Sequence, residues 1–137
     1  MGTEVRLSTH FDSAEFACKC GCGRAAVSPR LVAALEEVRR KLGGRPIHIN
    51  SGVRCEAHNA AVGGSPNSQH VFGNAADVAI AGLSGDDLYF VARDIPALHG
   101  FGVAGLWAHL DVRRSPVARW RYDSTGRVEA WPEGSTT

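Results

Sequence analysis

Hydrophobic and polar positions divide the chain into helical and extended segments, and the clearest helical pattern lies over residues 28–44. Its apolar positions recur at helical spacing and form one stripe, made of Leu31, Leu35, Val38 and Leu42. Ser28 and Pro29 are typical of a helix start, and Gly43 is typical of a helix end. The pattern therefore predicts an amphipathic helix that packs its stripe on the core.

Other segments predict a second helix, a short capped turn and several strands. Ser84 and Asp87 have the spacing of a capping pair and open the predicted helix 84–98, while Asp12 and Glu15 repeat that spacing ahead of a Gly/Cys loop. Strands are predicted over 45–52, 75–80, 100–106, 107–114 and, as an edge strand before a polar tail from about 123, over 118–123. This order indicates an α+β domain with helices packed on a mainly antiparallel sheet.

Composition narrows the possible partners. The chain has 137 residues, the length of one domain, and 44% of them are hydrophobic and 21% charged. A formal net charge of +1 gives no electrostatic reason to expect nucleic acid, and no apolar run approaches the roughly 20 residues that span a bilayer. The first residues lack the pattern of a signal peptide. We expect one domain over 1–137, taken as a monomer, with neither nucleic acid nor membrane as partner.

The segment 65–77, SPNSQHVFGNAAD, contains potential metal ligands among small residues. Zinc at catalytic sites takes three protein ligands such as His and Asp and leaves one tetrahedral position to water or substrate. His70, Asp77 and, from a later strand, His109 would supply them from separate elements. Asp77 could also be a turn or cap residue, but its apolar neighbours predict burial, and a cation would remove the cost of a buried carboxylate. The other histidines are assigned no role: His10, His48, His58 and His99.

Three segments together carry a family resemblance: SGVR at 51–54, SQHVFGNAAD at 68–77 and HLDVR at 109–113. The middle segment fits the pattern Ser-x-His-x-x-Gly-x-Ala-x-Asp at every fixed position. The chain resembles the zinc peptidases that include D-alanyl-D-alanine carboxypeptidases and L-alanyl-D-glutamate endopeptidases, a fold shared with the Hedgehog signalling domain. The resemblance covers nearly the whole chain and points to the compact single-domain branch often encoded by phages and prophages.

This resemblance implies roles for several side chains. His70, Asp77 and His109 would be the zinc ligands, and Arg54 would hold a carboxylate or carbonyl oxygen of the substrate beside the metal. The planar, charged fork of arginine suits that task, and a surface ion pair is the alternative for Arg54. Ser68 either hydrogen-bonds the substrate or braces its own loop.

Hydrolysis at such a site also needs a base that takes the proton of the attacking water. Several relatives place an acidic residue three positions before the last histidine ligand, where this chain has Leu106. Asp111 lies two residues after His109 on a predicted strand and shares its face, so it is either the base or a partner that orients a ligand. Trp107 shares that face and either walls the cleft, in contact with substrate, or packs in the core.

The cysteines at 18, 20, 22 and 55 leave three alternatives open. Cys18, Cys20, Cys22 and Cys55 could form a second, structural zinc site, but ligands at alternate positions depart from the usual spacers of two to four residues, which argues against it. A disulfide between Cys55 and one loop cysteine would tie the loop beside Arg54, and burial of reduced thiols is equally compatible. Nucleophilic catalysis fits least, because no cysteine has a partner in the motif.

The sequence therefore predicts a zinc-dependent metallopeptidase that hydrolyses the stem peptides of bacterial peptidoglycan. D-Ala-D-Ala carboxypeptidase activity is placed first and endopeptidase cleavage of the stem second; the substrate class is implied by the resemblance alone. Release by phage lysis, or transport on a virion, is the expected setting on the bacterial cell wall. A non-catalytic zinc-bearing module that binds the wall or another protein is the alternative, and Leu106 in place of an acid is what favours it.

Overall fold

The computed structural model describes residues 5–132, which form a six-stranded sheet and four helices. The helices are α1 (Ser13–Phe16), α2 (Pro29–Lys41), α3 (Glu56–Ala61) and α4 (Gly85–Ala92). The strands are β1 (His48–Ser51), β2 (Ala75–Ala79), β3 (Gly100–Val103), β4 (Ala108–Asp111), β5 (Ala118–Tyr122) and β6 (Val128–Ala130). The predicted α+β class is confirmed. Across residues 5–132, no helix has the length and apolar character needed to cross a bilayer.

The strand order is β1-β2-β4-β3-β5-β6, and every neighbouring pair is antiparallel except β3 and β5. One detail of the prediction is wrong: β5 is not an edge strand, because β6 pairs with it and forms the edge from within the predicted polar tail. The carboxylate of Asp123 accepts hydrogen bonds from the backbone of Thr125 and Arg127 and closes the turn between the two strands. All three residues of β6 are exposed, and the strand is too short for its alternation to stand out in the sequence.

The helix starts follow the predicted capping chemistry. Ser28 Oγ accepts a hydrogen bond from the backbone of Arg30 at 3.2 Å at the start of α2. Ser84 and Asp87 exchange two hydrogen bonds at the start of α4, as the spacing predicts. The predicted helix 84–98 is too long, since α4 ends at Ala92 ahead of a turn that leads into Pro96. The crossing between β1 and β2 contains the six-residue helix α3.

The two faces of the sheet differ in chemistry because alternate residues of a strand point to opposite sides. Helices cover one face, where Val78, Phe101 and Leu110 are buried in the hydrophobic core. On the opposite face, Asp77 pairs with His109 across β2 and β4. The row continues through β3 and β5 at Gly102 and Trp120, and the adjacent row pairs Gly100 with Asp111. The polar residues of the predicted site therefore lie side by side on one face.

On this polar face strand β3 has glycines, Gly100 and Gly102, which leave room for the side chains of the neighbouring strands. A Cβ on Gly100 would overlap the carboxylate of Asp111, and a Cβ on Gly102 would lie 2.5 Å from Nε1 of Trp120. Both side chains are thus accommodated because the neighbouring strand carries glycine opposite them.

Replacing Gly100 by Ala is expected to destabilise the fold by about 1–3 kcal/mol, since the added methyl group forces Asp111 out of its position. Gly105→Ala is the matched control, because a Cβ there meets no atom within 4 Å. The free energy of unfolding of both variants would be measured by urea denaturation of metal-free, reduced protein. Equal stability of the two variants would contradict the packing argument.

Candidate metal centre

The three predicted ligands converge although they come from different parts of the chain. His70 lies in the loop between α3 and β2, while Asp77 and His109 are cross-strand partners on β2 and β4. Asp77 Oδ1 lies 3.1 Å from His70 Nε2 and 3.2 Å from His109 Nδ1, and the two ring nitrogens are 3.2 Å apart. All three residues are buried. The sequence prediction that they lie close enough to share an ion therefore agrees with the geometry.

The hydrogen bonds on the outer side of each ring determine which nitrogen faces inward with a lone pair. His70 Nδ1 lies 2.7 Å from the carbonyl oxygen of Gly52, and His109 Nε2 lies 2.7 Å from Asp111 Oδ2. Because these acceptors take the ring N–H groups, the inward nitrogens of the neutral rings carry only lone pairs. Two lone pairs and a carboxylate oxygen then face one another, and only a proton or a cation can lie between them. Two imidazoles and one carboxylate are a ligand set that zinc accepts.

The electrostatics of the centre keep its acid ionised. Burial raises the pKa of Asp77, but hydrogen bonds with His109 and His70 outweigh it and hold the pKa well below its usual range. For His109, burial lowers the pKa, and the contacts with Asp111 and Asp77 outweigh that effect and raise it. Without metal, a proton is thus favoured between these groups, and a metal ion would bind by displacing it.

A sharp turn brings the His70 loop to the sheet. Gly73 adopts a left-handed conformation with φ of 73°, and its carbonyl oxygen accepts a hydrogen bond from the backbone of Ser28 at 2.8 Å. A side chain at this position would overlap the carbonyl oxygen of Ala26, so glycine is required by both conformation and space. Gly73 therefore allows the backbone of this loop to pass close to the candidate ligands.

Arg54 is fixed beside the three ligands. Its guanidinium donates to Asp77 Oδ2 at 3.3 Å, to Asn59 Oδ1 at 3.2 Å and to Ser51 Oγ at 3.2 Å. Asn59 is itself buried and anchored to the carbonyl oxygen of Ser65 at 2.8 Å. With 14% of its side chain exposed, Arg54 is held by a buried network. The alternative of an ordinary surface ion pair does not fit this environment.

Asp111 lies on the same face as His109, as the strand parity predicts, but at the edge of the His109 ring opposite to Asp77. Its side chain is fully buried, and the Nε and Nη2 atoms of Arg113 bind it at 2.9 and 2.8 Å in addition to the contact with His109. Burial raises the pKa of Asp111, but the hydrogen bonds from His109 and Arg113 lower it to about 2. Asp111 does not line the cleft beside the three ligands. Of the two roles left open, this geometry favours the orienting partner.

The ligands open onto a cleft of about 400 Å³. Trp107 lines it and stacks on Tyr122 with ring centroids 4.9 Å apart, so it walls the cleft. Ser68 also lines the cleft, while its Oγ accepts a hydrogen bond from the backbone of His70 at 3.2 Å, which supports the bracing alternative. Leu106 is 76% exposed and lies outside the walls. Among residues 5–132, Asp77 is the one carboxylate that lines this cleft.

Sequence reasoning missed several contributors to the site: Arg113, Trp120, Tyr122 and Asn59. Arg113 continues the alternation of His109 and Asp111 and could have been assigned to the same face by parity. Trp120 and Tyr122 alternate in the same way on β5, but nothing in the sequence indicates that β5 lies next to β3. Asn59 carries no sequence signal, because its contact with Arg54 depends on where α3 packs.

None of the four cysteines lines the cleft, but they form a cluster of their own. Their side chains are free thiols, and one sulfur from each of Cys18, Cys20, Cys22 and Cys55 lies within 4.8 Å of the others. The alternate spacing that argues against a shared site therefore does not keep the sulfurs apart. No cysteine lies where a nucleophile could reach a substrate in the cleft.

Replacing Asp111 by Asn is expected to weaken zinc binding by about 10- to 100-fold, because the charge that orients His109 is lost. Zinc affinity would be measured by competition with a chromophoric chelator. Asp86→Asn is the control, since Asp86 is exposed and contacts Arg121 away from the centre. A variant that keeps zinc affinity but loses turnover would instead identify Asp111 as the base.

Comparisons with known proteins identify the family to which the chain belongs. Residues 9–111 match the sequence model of the family Peptidase M15, a range that contains every residue of the centre from Arg54 to Asp111. A curated relative, the zinc D-Ala-D-Ala carboxypeptidase of Streptomyces albus G, is 37% identical over 67 residues. That alignment covers 49% of this chain and 25% of the relative, so the chain spans only about a quarter of the relative's length. Because the family model covers most of the chain, the protein belongs to the Peptidase M15 family.

Proposed function

We propose that the protein is a zinc-dependent peptidase that hydrolyses the D-amino-acid-containing stem peptides of bacterial peptidoglycan. The observation that carries the proposal is the convergence of three buried donor atoms, from His70, Asp77 and His109, in the wall of an open cleft. Membership of the Peptidase M15 family and the similarity to a zinc D-Ala-D-Ala carboxypeptidase support the reaction class. D-Ala-D-Ala carboxypeptidase activity is the first choice. Release by phage lysis or transport on a virion stays a prediction.

The centre offers three donor atoms, held in place by groups behind them. His70 Nε2, Asp77 Oδ1 and His109 Nδ1 would bind the ion, and the carbonyl oxygen of Gly52 and the carboxylate of Asp111 keep the two rings in orientation. Zinc bound there would lower the pKa of a coordinated water towards about 7 and polarise a substrate carbonyl. The buried, preformed arrangement of the side chains means that little reorganisation is needed when the ion binds.

Arg54 is the group suited to hold the substrate. Its guanidinium has five N–H donors. Three of them bind Ser51, Asn59 and Asp77, so the others remain for a substrate oxygen in the cleft. A terminal carboxylate would be attracted by this charge, which favours cleavage of the last residue of a stem peptide. Burial raises the pKa of Tyr122, so its hydroxyl keeps its proton and can donate to the same substrate. Trp107 provides an apolar wall.

A non-catalytic zinc-bearing module that binds the cell wall is the second candidate, and one observation favours it. Within residues 5–132, Asp77 is the one carboxylate at the cleft, and its Oδ1 already faces the histidine nitrogens. Position 106 is an exposed leucine, and the oxygens of Asp111 are occupied by His109 and Arg113. A peptidase needs a group that accepts the water proton, whereas a binding module does not.

Zinc-loaded protein incubated with purified peptidoglycan and a synthetic stem peptide is expected to release free D-alanine, detected by mass spectrometry. Chelation, or the substitution Asp77→Asn, should reduce product to the metal-free background, while Asp86→Asn should leave the rate unchanged. Larger stem fragments in place of D-alanine would identify an endopeptidase. Binding to peptidoglycan without any zinc-dependent product would contradict the peptidase proposal and support the binding module.

Arg54→Lys is expected to lower kcat/KM by roughly 100-fold, because a point charge cannot reproduce the fork that holds a substrate oxygen. The zinc content of the variant should equal that of the unmodified protein. Arg40→Lys is the matched control, because Arg40 is exposed on α2 and contacts only Glu37 among the side chains of residues 5–132. Full activity of Arg54→Lys would remove Arg54 from substrate binding.

A further inference from the structure

The cysteine cluster joins the N-terminal loop to the start of α3. The Sγ atoms of Cys18 and Cys20 are 3.4 Å apart, those of Cys20 and Cys55 are 3.6 Å apart, and those of Cys18 and Cys55 are 3.8 Å apart. Cys22 also lies within 4.8 Å of the other sulfurs. Cys18 is buried, whereas Cys20 and Cys22 are exposed, so the cluster lies at the surface with one side covered.

A tight turn explains how ligands at alternate positions reach one point. Gly21 has a left-handed φ of 86°, and its N–H donates to the carbonyl oxygen of Cys18 at 3.2 Å. The loop is closed by a second bond, from the N–H of Cys18 to the carbonyl oxygen of Arg24 at 2.8 Å. In an extended chain, alternate side chains would form a line, but in this turn they surround a common centre.

The sulfur spacing matches tetrahedral coordination. Four thiolates at the zinc–sulfur distance of about 2.3 Å are separated from each other by about 3.8 Å, as the edges of a tetrahedron. The three separations among Cys18, Cys20 and Cys55, of 3.4, 3.6 and 3.8 Å, lie at or slightly below that edge. A disulfide would instead join two sulfurs at about 2.05 Å and leave two thiols unused.

Two of the sulfurs, those of Cys18 and Cys55, accept hydrogen bonds from backbone N–H groups. Cys18 Sγ accepts from the N–H of Cys55 at 3.4 Å, and Cys55 Sγ accepts from the N–H of His58 at 3.4 Å as the N-cap of α3. Such N–H groups stabilise the negative charge of a thiolate. The sulfurs of Cys18 and Cys55 therefore lie where a thiolate is favoured.

We propose that Cys18, Cys20, Cys22 and Cys55 bind a second zinc ion, separate from the centre formed by the histidines. Each thiol releases its proton to solvent on binding, and four sulfur ligands complete the tetrahedron, so that no position remains for water or substrate. The site is thus structural. Soft thiolates select zinc over magnesium or calcium, which prefer oxygen ligands.

The second ion would fix the position of the substrate-binding arginine. Cys55 directly follows Arg54 and caps α3, the helix that carries Asn59, the partner of Arg54. Val53 donates its N–H to the carbonyl oxygen of Phe16 at 2.8 Å, and Cys55 donates its N–H to Cys18 Sγ at 3.4 Å. The same N-terminal segment therefore binds the residue on each side of Arg54. This consequence rests on the proposed function, whereas the binding of the ion itself does not.

Metal analysis of protein reduced under anaerobic conditions and reconstituted with zinc tests the proposal. Two zinc ions per chain are expected in the unmodified protein, and one each in the double variant Cys20→Ser/Cys22→Ser and in Asp77→Asn. With cobalt(II) in place of zinc, a thiolate-to-cobalt charge-transfer band should appear in the unmodified protein and in Asp77→Asn, and be lost in the cysteine variant. Lys19→Ser, in the same exposed loop, is the control and should keep both ions.

Failure of the two proposals can be told apart, because the cobalt band reports sulfur ligands and does not depend on hydrolysis. If the cysteine variant does not fold, alkylation of the unmodified protein gives the same information: zinc should protect all four thiols, and chelation should expose them. Absence of the band in the reduced protein, or thiols equally reactive with and without zinc, would overturn the second site.

Discussion

The register between β2 and β4 is the constraint on which the site depends, because it sets Asp77 directly opposite His109. A slip of one residue would turn one of these side chains toward the hydrophobic core. Val78 and Leu110 prevent the slip, since they are buried on the other face of the same two strands. The apolar packing under the sheet therefore determines the geometry of the polar residues above it, and the ligand pair follows from core burial as much as from its own contacts.

Basic and acidic side chains alternate along the polar face, from Arg113 through Asp111, His109 and Asp77 to Arg54. Asp77 is hydrogen-bonded to His109 and His70, and Asp111 to His109 and Arg113, which explains why the pKa values of both acids are lowered despite burial. A buried carboxylate without such partners would cost several kcal/mol. Between the ring nitrogens of His70 and His109 there is no fixed positive charge. A cation bound there would balance the carboxylate of Asp77.

The sequence was sufficient for the elements and the candidate ligands that have a local signal. The stripe and caps of α2, the alternation of β4 and the spacing from His70 to Asp77 are all short-range patterns. Strand parity also put Asp111 on the correct face, but parity cannot say which edge of the His109 ring it contacts. That depends on the space left by Gly100 on the neighbouring strand, and the convergence of the cysteines likewise depends on long-range packing.

The short segment between β1 and α3, residues 52–55, connects the two clusters of potential ligands, because its consecutive residues contact different parts of the molecule. The carbonyl oxygen of Gly52 accepts the ring Nδ1–H of His70, and Val53 donates its backbone N–H to the N-terminal segment. Arg54 donates to the carboxylate of Asp77, and Cys55 contributes its sulfur to the cysteine cluster. A displacement of this segment would disturb the ring orientation and the arginine together. The N-terminal cysteine loop lies outside the cleft. Through residues 52–55, it is nevertheless physically linked to the position of the candidate ligands inside the cleft.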